Sequence, residues 1–221
     1  MMNTLAAPRV MHVVRRLGFG GLEVGVVNLV RGLERLGFEQ AVCCLEDRGE
    51  LAEQLPRSVS VWGCSDGLRK PQRLPWRAAR LVRRWRPDII HARNGGAWID
   101  AVAAWTLAGR RGRLAFGFHG WDRLDRLPRR RAFLYRQLAR VTWAMTAVSA
   151  EAARQFAEEA GIPPGRFVVL GSGVDTERFQ PTAAPNGVGR LVLGCVSRLA
   201  PIKAHDVLID AFARVVGRVA V

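Results

Sequence analysis

Short apolar runs alternate with amphipathic stretches from the first residues of the chain to the last. Arg9–Arg15 (R-V-M-H-V-V-R) reads as a buried strand, followed by a glycine turn at 18–21. Leu22, Val26, Leu29, Val30, Leu33 and Leu36 then recur at helical spacing, and Gly37 is placed to end that helix. Gln40–Leu45 and Val59–Trp62 predict two more strands, with a short helical piece over Gly49–Leu55. Pro75–Trp85 predicts a helix that Pro87 stops, Asp88–His91 a strand, and Ala97–Ala108 an apolar helix. Leu114–His119, Trp143–Val148 and Phe167–Leu170 predict strands, separated by a basic helix (Leu127–Val141) and a helix over Ala150–Ala160 capped by Ser149.

Strands separated by helices of roughly ten to fifteen residues imply βαβ units, hence a parallel sheet with helices on both faces. Thr182–Gly189 (T-A-A-P-N-G-V-G) reads as a linker. Beyond it the pattern restarts, with Leu191–Val196 strand-like and a helix from about His205 to Val216. The expected organisation is a domain over 1–181, a linker over 182–189, and the first βα unit of a second Rossmann-like domain over 190–221.

Composition adds little to this picture, and charge adds more. The 221 residues are 49% hydrophobic and 24% charged, which excludes collagen, coiled coil and disordered tail. No apolar run approaches a membrane span; Ala97–Ala108 is the longest and carries Asp100. The start, Met1–Pro8, is too short and too weakly apolar for a signal peptide, so a cytoplasmic protein is expected. The four cysteines form no C-x-x-C pair, and buried thiols are expected. Formal net charge is +15, and the stretch 69–140 alone holds 19 basic and 4 acidic residues. Such a local basic surface favours an anionic partner. In Arg69–Arg86 and Arg123–Arg140, arginines are interleaved with Trp76, Leu81, Trp85, Phe133, Leu134 and Tyr135, the mixture that suits an anionic membrane surface. Nucleic acid is not expected, because no helix-turn-helix, RRM or zinc signature accompanies the arginines.

Several polar residues fall where an open α/β sheet binds ligands, at the carboxyl ends of its strands. They are His91, Arg93 and Asn94 in D-I-I-H-A-R-N, and His119 and Asp122 in F-H-G-W-D. Gly18-x-Gly20-Gly21-x-Glu23 lies between the first strand and first helix, where backbone N–H groups can approach a phosphate. It equally suits a tight turn, and Glu46 after Gln40–Leu45 leaves dinucleotide binding open. Arg198 and Lys203 sit on a loop before a helix, as a diphosphate clamp or as solvated charges. Without G-x-S-x-G or an acidic cluster of metal spacing, hydrolase and metalloenzyme chemistry has little support.

Together, G-F-G-G-L-E, R-P-D-I-I-H-A-R-N, F-H-G, A-V-S-A-E, G-V-D-T-E-R-F-Q-P and V-S-R-L-A-P-I-K resemble the family-4 retaining glycosyltransferases of GT-B fold. The G-G-L-E-x-G-x-V-N-L, H-A-R-N and H-G-W-D segments look most like sugar transferases of exopolysaccharide clusters. The resemblance implies two Rossmann-like domains facing a cleft, the first for the acceptor and the second for a nucleotide-sugar donor. It implies no metal and no cofactor besides that co-substrate. Gly20 and Gly21 match the glycine loop beside the donor phosphate, and His119 a histidine near the transferred sugar that serves catalysis. Arg198 and Lys203 match the pair that stabilises the departing diphosphate, and Gly173, Val174 and Asp175 the loop into the hinge. His91, Arg93, Asn94 and Asp122 remain acceptor or cleft candidates. The implied acceptor is lipid-linked or a polysaccharide, handled at the inner face of the cell membrane by peripheral contact. Ser172 stands where the family usually has Asn, and Ala204 where Gly commonly follows the Lys. The family's Glu-x7-Glu motif falls beyond Val221, so the 221 residues alone are expected not to transfer sugar. The alternative is a non-catalytic Rossmann-like module that binds an anionic lipid or a nucleotide.

Overall fold

The computed structural model describes residues 7–65, 74–120, 126–181 and 192–219. Its chain divides into two compact units, the first ending at Arg178.

The first unit is built on a seven-stranded, all-parallel sheet of order β3-β2-β1-β4-β5-β6-β7. The strands are β1 (Arg9–Val14), β2 (Glu39–Cys44), β3 (Ser60–Gly63), β4 (Ile89–Arg93), β5 (Arg113–Phe118), β6 (Ala144–Ala147) and β7 (Phe167–Val169). The helices between them are α1 (Gly21–Arg35), α2 (Leu74–Trp85), α3 (Gly95–Leu107), α4 (Arg129–Val141) and α5 (Ala150–Ala160). A 3-10 turn (Glu50–Gln54) replaces the short helical piece expected before β3. Gly37, at φ +80°, ends α1, and Ser149 Oγ accepts from the Ala152 N–H to cap α5.

The two faces of the sheet differ in chemistry. On one, Trp98 from α3 stacks on Phe116 from β5 with ring centroids 4.1 Å apart, and Phe156 from α5 joins Phe118 at 4.6 Å. The Trp98 indole N–H is satisfied by Thr142 Oγ1 at 3.0 Å, whose own hydroxyl donates to the Leu138 carbonyl. Tyr135, on basic helix α4, belongs to this core and is fully buried, contrary to its expected place on a membrane-facing surface. Its phenol fills the space where a Gly95 side chain would stand, so α3 and α4 meet only because Gly95 has none. Burying such aromatics is the main stabilising term of the unit.

The opposite face is covered by α1 over β1 and β2, where Val26, Val27 and Val30 pack on Val14, Val42 and Cys44. Strict alternation assigns His12, His91 and Arg93 to this same face, together with Ala115, Gly117 and Thr146. Ala115, Thr146 and His91 are only half-buried.

Three cysteines are buried as expected, but Cys195 is exposed because the segment around it has no cover. Trp76 and Phe133 stand exposed among the arginines of α2 and α4, whereas Trp85 turns inward against Trp62 beneath Arg9. No helix among the described residues is long and apolar enough to cross a membrane.

In the second unit, α6 (His205–Val219) follows a 3-10 turn over Pro201–Lys203. The strand expected over Leu191–Val196 does not form in its described part, 192–196. A parallel strand needs a neighbour to take its N–H and C=O groups, and no other strand is described in this unit. Leu193, Val196, Leu208, Ile209 and Phe212 are accordingly exposed. The linker expected over 182–189 lies outside the described residues.

Candidate functional site

Three histidines and one arginine converge at the carboxyl ends of β1, β4 and β5. His12 and His91 are direct neighbours in the β1–β4 register, with ring centroids 5.5 Å apart. Arg93 pairs with Gly117 in the β4–β5 register, one turn of the pleat further along the same face. His119 follows the last residue of β5. The position that a Gly117 Cβ would occupy lies 3.0 Å from His91 Nε2, 3.5 Å from Thr146 Oγ1 and 3.6 Å from His119 Nε2. Glycine at 117 therefore makes the room in which the two imidazoles meet.

All three imidazoles are held neutral. Burial drives His12 down to about 4, against a raising contribution from its Gln40 hydrogen bond and a lowering one from Arg93. Burial likewise lowers His119 to about 4, with Arg93 assisting. His91 is pushed well below the ordinary value by burial first, then by His12, Arg93 and His119. The His12 tautomer follows from its partners: Gln40 donates its amide to the Val30 carbonyl at 2.9 Å, so its oxygen, 3.2 Å from His12 Nε2, accepts from that nitrogen. His12 Nδ1 is left as a buried acceptor with no hydrogen bond.

Arg93 is buried, 7% exposed, and its Nε makes no hydrogen bond. One terminal nitrogen lies 3.6 Å from where a Cβ of Gly25 in α1 would stand. Burial lowers Arg93 to about 10, so it stays charged at neutral pH. Asn94 turns the chain at φ +73°, and its side chain accepts from the Gly95 N–H to open α3. Arg15, from the end of β1, reaches within 3.6 Å of the Gly96 side-chain position and pairs with Glu46.

Of the expected site residues, His91, Arg93, Asn94 and His119 are thus brought together. Gly20 and Gly21 open α1, and Gly21 has free space around it. The Glu23 carboxylate folds back over Gly20 into the place its side chain would take. Asp122 lies outside the described residues. Arg198 and Lys203 belong to the second unit and are exposed, with Lys203 closing the 3-10 turn. Ala204 beside it adopts φ +48°, the left-handed conformation that explains why glycine suits this position. Sequence reasoning missed His12 and Gly117. The available signal was the polar residue interrupting the apolar run of β1, which the β1–β4 register sets directly opposite His91. A concavity of about 540 Å³ lies at the amino ends of the strands, between Asp88, Arg113 and Trp143. It contains no histidine and is open, so its size does not make it the site.

The sequence profile described as Glycosyltransferase Family 4 matches residues 19–178, most of the chain and nearly all of the first unit. The chain belongs to glycosyltransferase family 4. D-inositol 3-phosphate glycosyltransferase of Geodermatophilus obscurus is 31% identical over 88% of this chain and 50% of its own length. The protein of that name from Streptosporangium roseum is 27% identical over 88% of the chain and 52% of its own length. This family-4 chain spans about half the length of the curated relatives it matches. Among solved structures, Anabaena Alr3699/HepE in complex with UDP and glucose superposes with a TM-score of 0.72 at 20% identity, over 94% of this chain and 58% of that one. A glycosyltransferase from Rickettsia africae gives a TM-score of 0.62 at 18% identity, over 82% of this chain and 47% of that one. These likenesses show the fold: an α/β, Rossmann-like parallel sheet as in GT-B glycosyltransferases.

Proposed function

We propose that the chain is the acceptor-side part of a retaining glycosyltransferase that moves a sugar from a nucleotide-sugar donor to a lipid-linked or polysaccharide acceptor. The observation that carries this reading is the cluster of His91, His119 and Arg93 at the carboxyl ends of a family-4 sheet. Supporting it, Anabaena Alr3699/HepE was crystallised with UDP-glucose, and the curated relatives are named for glycosyl transfer and an inositol phosphate.

In this reading the neutral His119 imidazole lies against the transferred sugar, where it donates or accepts a hydrogen bond without bringing a competing charge. Departure of a nucleoside diphosphate builds negative charge on its oxygens while the sugar becomes oxocarbenium-like. Arg198 and Lys203 are the cations assigned to that charge, and Gly20 and Gly21 supply backbone N–H groups to the donor phosphate. Glu23 must swing off Gly20 for that contact, because its carboxylate would repel the phosphate. No metal or cofactor is assigned. The basic faces of α2 and α4, with Trp76 and Phe133 exposed, are proposed to rest on anionic lipid at the cytoplasmic side. The exopolysaccharide setting is inferred from the H-A-R-N and H-G-W-D segments.

The test is sugar transfer. The 221 residues are joined to the nucleotide-binding half of a relative and given a panel of nucleotide sugars with a membrane extract as acceptor. Donor-dependent labelling that His119→Ala abolishes supports the reading. Nucleotide or lipid binding without transfer, whichever half is attached, identifies a non-catalytic module instead.

A further inference from the structure

Arg93 presents a physical problem that the fold does not solve. A guanidinium withdrawn from water costs several kcal/mol unless it is paired and hydrogen-bonded. Among the described residues Arg93 has no ion pair, its Nε is buried without a hydrogen bond, and burial lowers its value with nothing raising it. The groups that face it make the imbalance plain. His12, His91 and His119 are neutral and return no negative charge. Gly25 of α1 contributes no side chain, and Arg15 beyond Gly96 is a second cation already paired with Glu46. Asn94 spends its carbonyl oxygen on Gly95.

The groups around Arg93 can donate but not neutralise. Arg93 lies beside Gly25, and His91 and His119 beside Gly117, so the guanidinium and the two half-buried imidazoles occupy places where side chains would otherwise stand. Arg93 is followed directly by the amino end of α3, a 13-residue helix with no acidic residue in its first turn. Its first N–H groups add to the positive potential. A planar guanidinium fork on the same sheet face as neutral imidazoles matches an oxyanion, which would accept from both donor types.

We propose that Arg93 is the receptor for an oxyanionic group, a phosphate monoester or a carboxylate, carried by the acceptor sugar. Arg93 then discriminates against neutral sugars, because only an anionic one completes its charge. That the oxyanion sits on the acceptor rests on the transferase reading; the existence of the site does not.

The test uses the 221-residue chain and observes the Arg93 Nε–Hε NMR signal, assigned by its loss in Arg93→Met. Titration with inorganic phosphate should move that signal saturably, whereas chloride at equal ionic strength should not. Glucose 6-phosphate and glucuronate separate the two oxyanion sources, and the one that binds more tightly than inorganic phosphate names the group. Glucose should not bind. UDP should leave the sugar anion in place, and displacement by UDP would overturn the assignment to the acceptor. Arg93→Met should weaken phosphate binding at least tenfold and melt, without ligand, at or above the wild-type temperature, since a costly buried charge is gone. A signal indifferent to phosphate, or unchanged affinity in Arg93→Met, would overturn the site. Sugar transfer is measured separately, so loss of the anion site leaves the transferase reading standing, and the reverse holds too.

Discussion

Acidification should destabilise the first unit well before its carboxylates protonate. His12 is fully buried, bonded through Nε2 to Gln40 of β2, beside His91 of β4 and near Arg93, with α1 closing over it. Its folded value is about 4 against 6.5 unfolded, because burial outweighs the Gln40 bond. The sign follows from proton counting. Below pH 6.5 the unfolded chain takes up a proton that the folded chain refuses until about pH 4, so stability falls as pH falls through that window. From the two values, His12 alone removes about 2 kcal/mol between pH 7 and pH 5 and about 3 kcal/mol by pH 4. His91 acts in the same direction, and His119, which is partly exposed, acts less strongly than its shift suggests. Asp100 runs the other way: burial raises it, opposed by Arg15, so it recovers some stability as it protonates. Urea unfolding at half-unit steps from pH 7 to pH 5 reads the slope, which should approach or exceed ~1.4 kcal/mol per pH unit at the acid end. His12→Gln should flatten it by about one proton. A stability constant over this range, or His12 ring signals titrating near pH 6.5, would refute the account.

Other outcomes are equally specific. Gly95→Ala places a methyl group against the Tyr135 ring, whose Cζ lies 2.9 Å from that position, and should cost about 1–3 kcal/mol in urea unfolding. Tyr135→Phe should recover part of that loss. In the transferring hybrid, Arg198→Ala and Lys203→Ala should each cut turnover roughly tenfold to a hundredfold, the worth of a charge-assisted contact, without changing the melting temperature. Ala204→Gly relieves a left-handed alanine and should stabilise the start of α6 by about 1 kcal/mol, read as slower amide exchange in its first turn. Liposome sedimentation should show binding to anionic but not neutral vesicles, lost when Trp76 and Phe133 are both changed to Ala.

The alternation of strands and helices was legible because each βα unit carries its own period, and boundaries shifted by only one to three residues. The sheet order was not legible, since nothing in a strand's own sequence says which neighbours it joins. Tyr135 was misplaced for a related reason. Its helix interleaves arginines with Phe133, Leu134 and Tyr135 alike, and only the absent side chain at Gly95, 40 positions away, creates the pocket that takes Tyr135. The segment 192–196 has strand composition but no partner in its unit, and composition cannot supply one. At the site, His91, Arg93 and His119 were visible as strand-end residues. Their meeting was not, because it depends on the β1–β4–β5 register and on Gly117 having no side chain.

The asymmetry of the sheet suggests how one unit can be both stable and reactive. Trp98, Phe116, Phe118, Tyr135 and Phe156 form a ring cluster on one face, and truncating any of them to Ala should cost about 3–5 kcal/mol. The other face carries a neutral histidine, an unpaired arginine and small residues behind Phe116 and Phe118, separated from them by one thickness of backbone. Parity in β4 and β5 enforces this: Ala92 and Phe116 face the cluster while His91, Arg93 and Gly117 face the site. Costly features such as the uncompensated Arg93 charge are tolerated because the aromatic face over-determines the strand positions. Substitutions at Arg93, His119 and Thr146 should therefore move binding and turnover while leaving the folded state close to wild type, and substitutions at Trp98 or Phe116 should do the reverse.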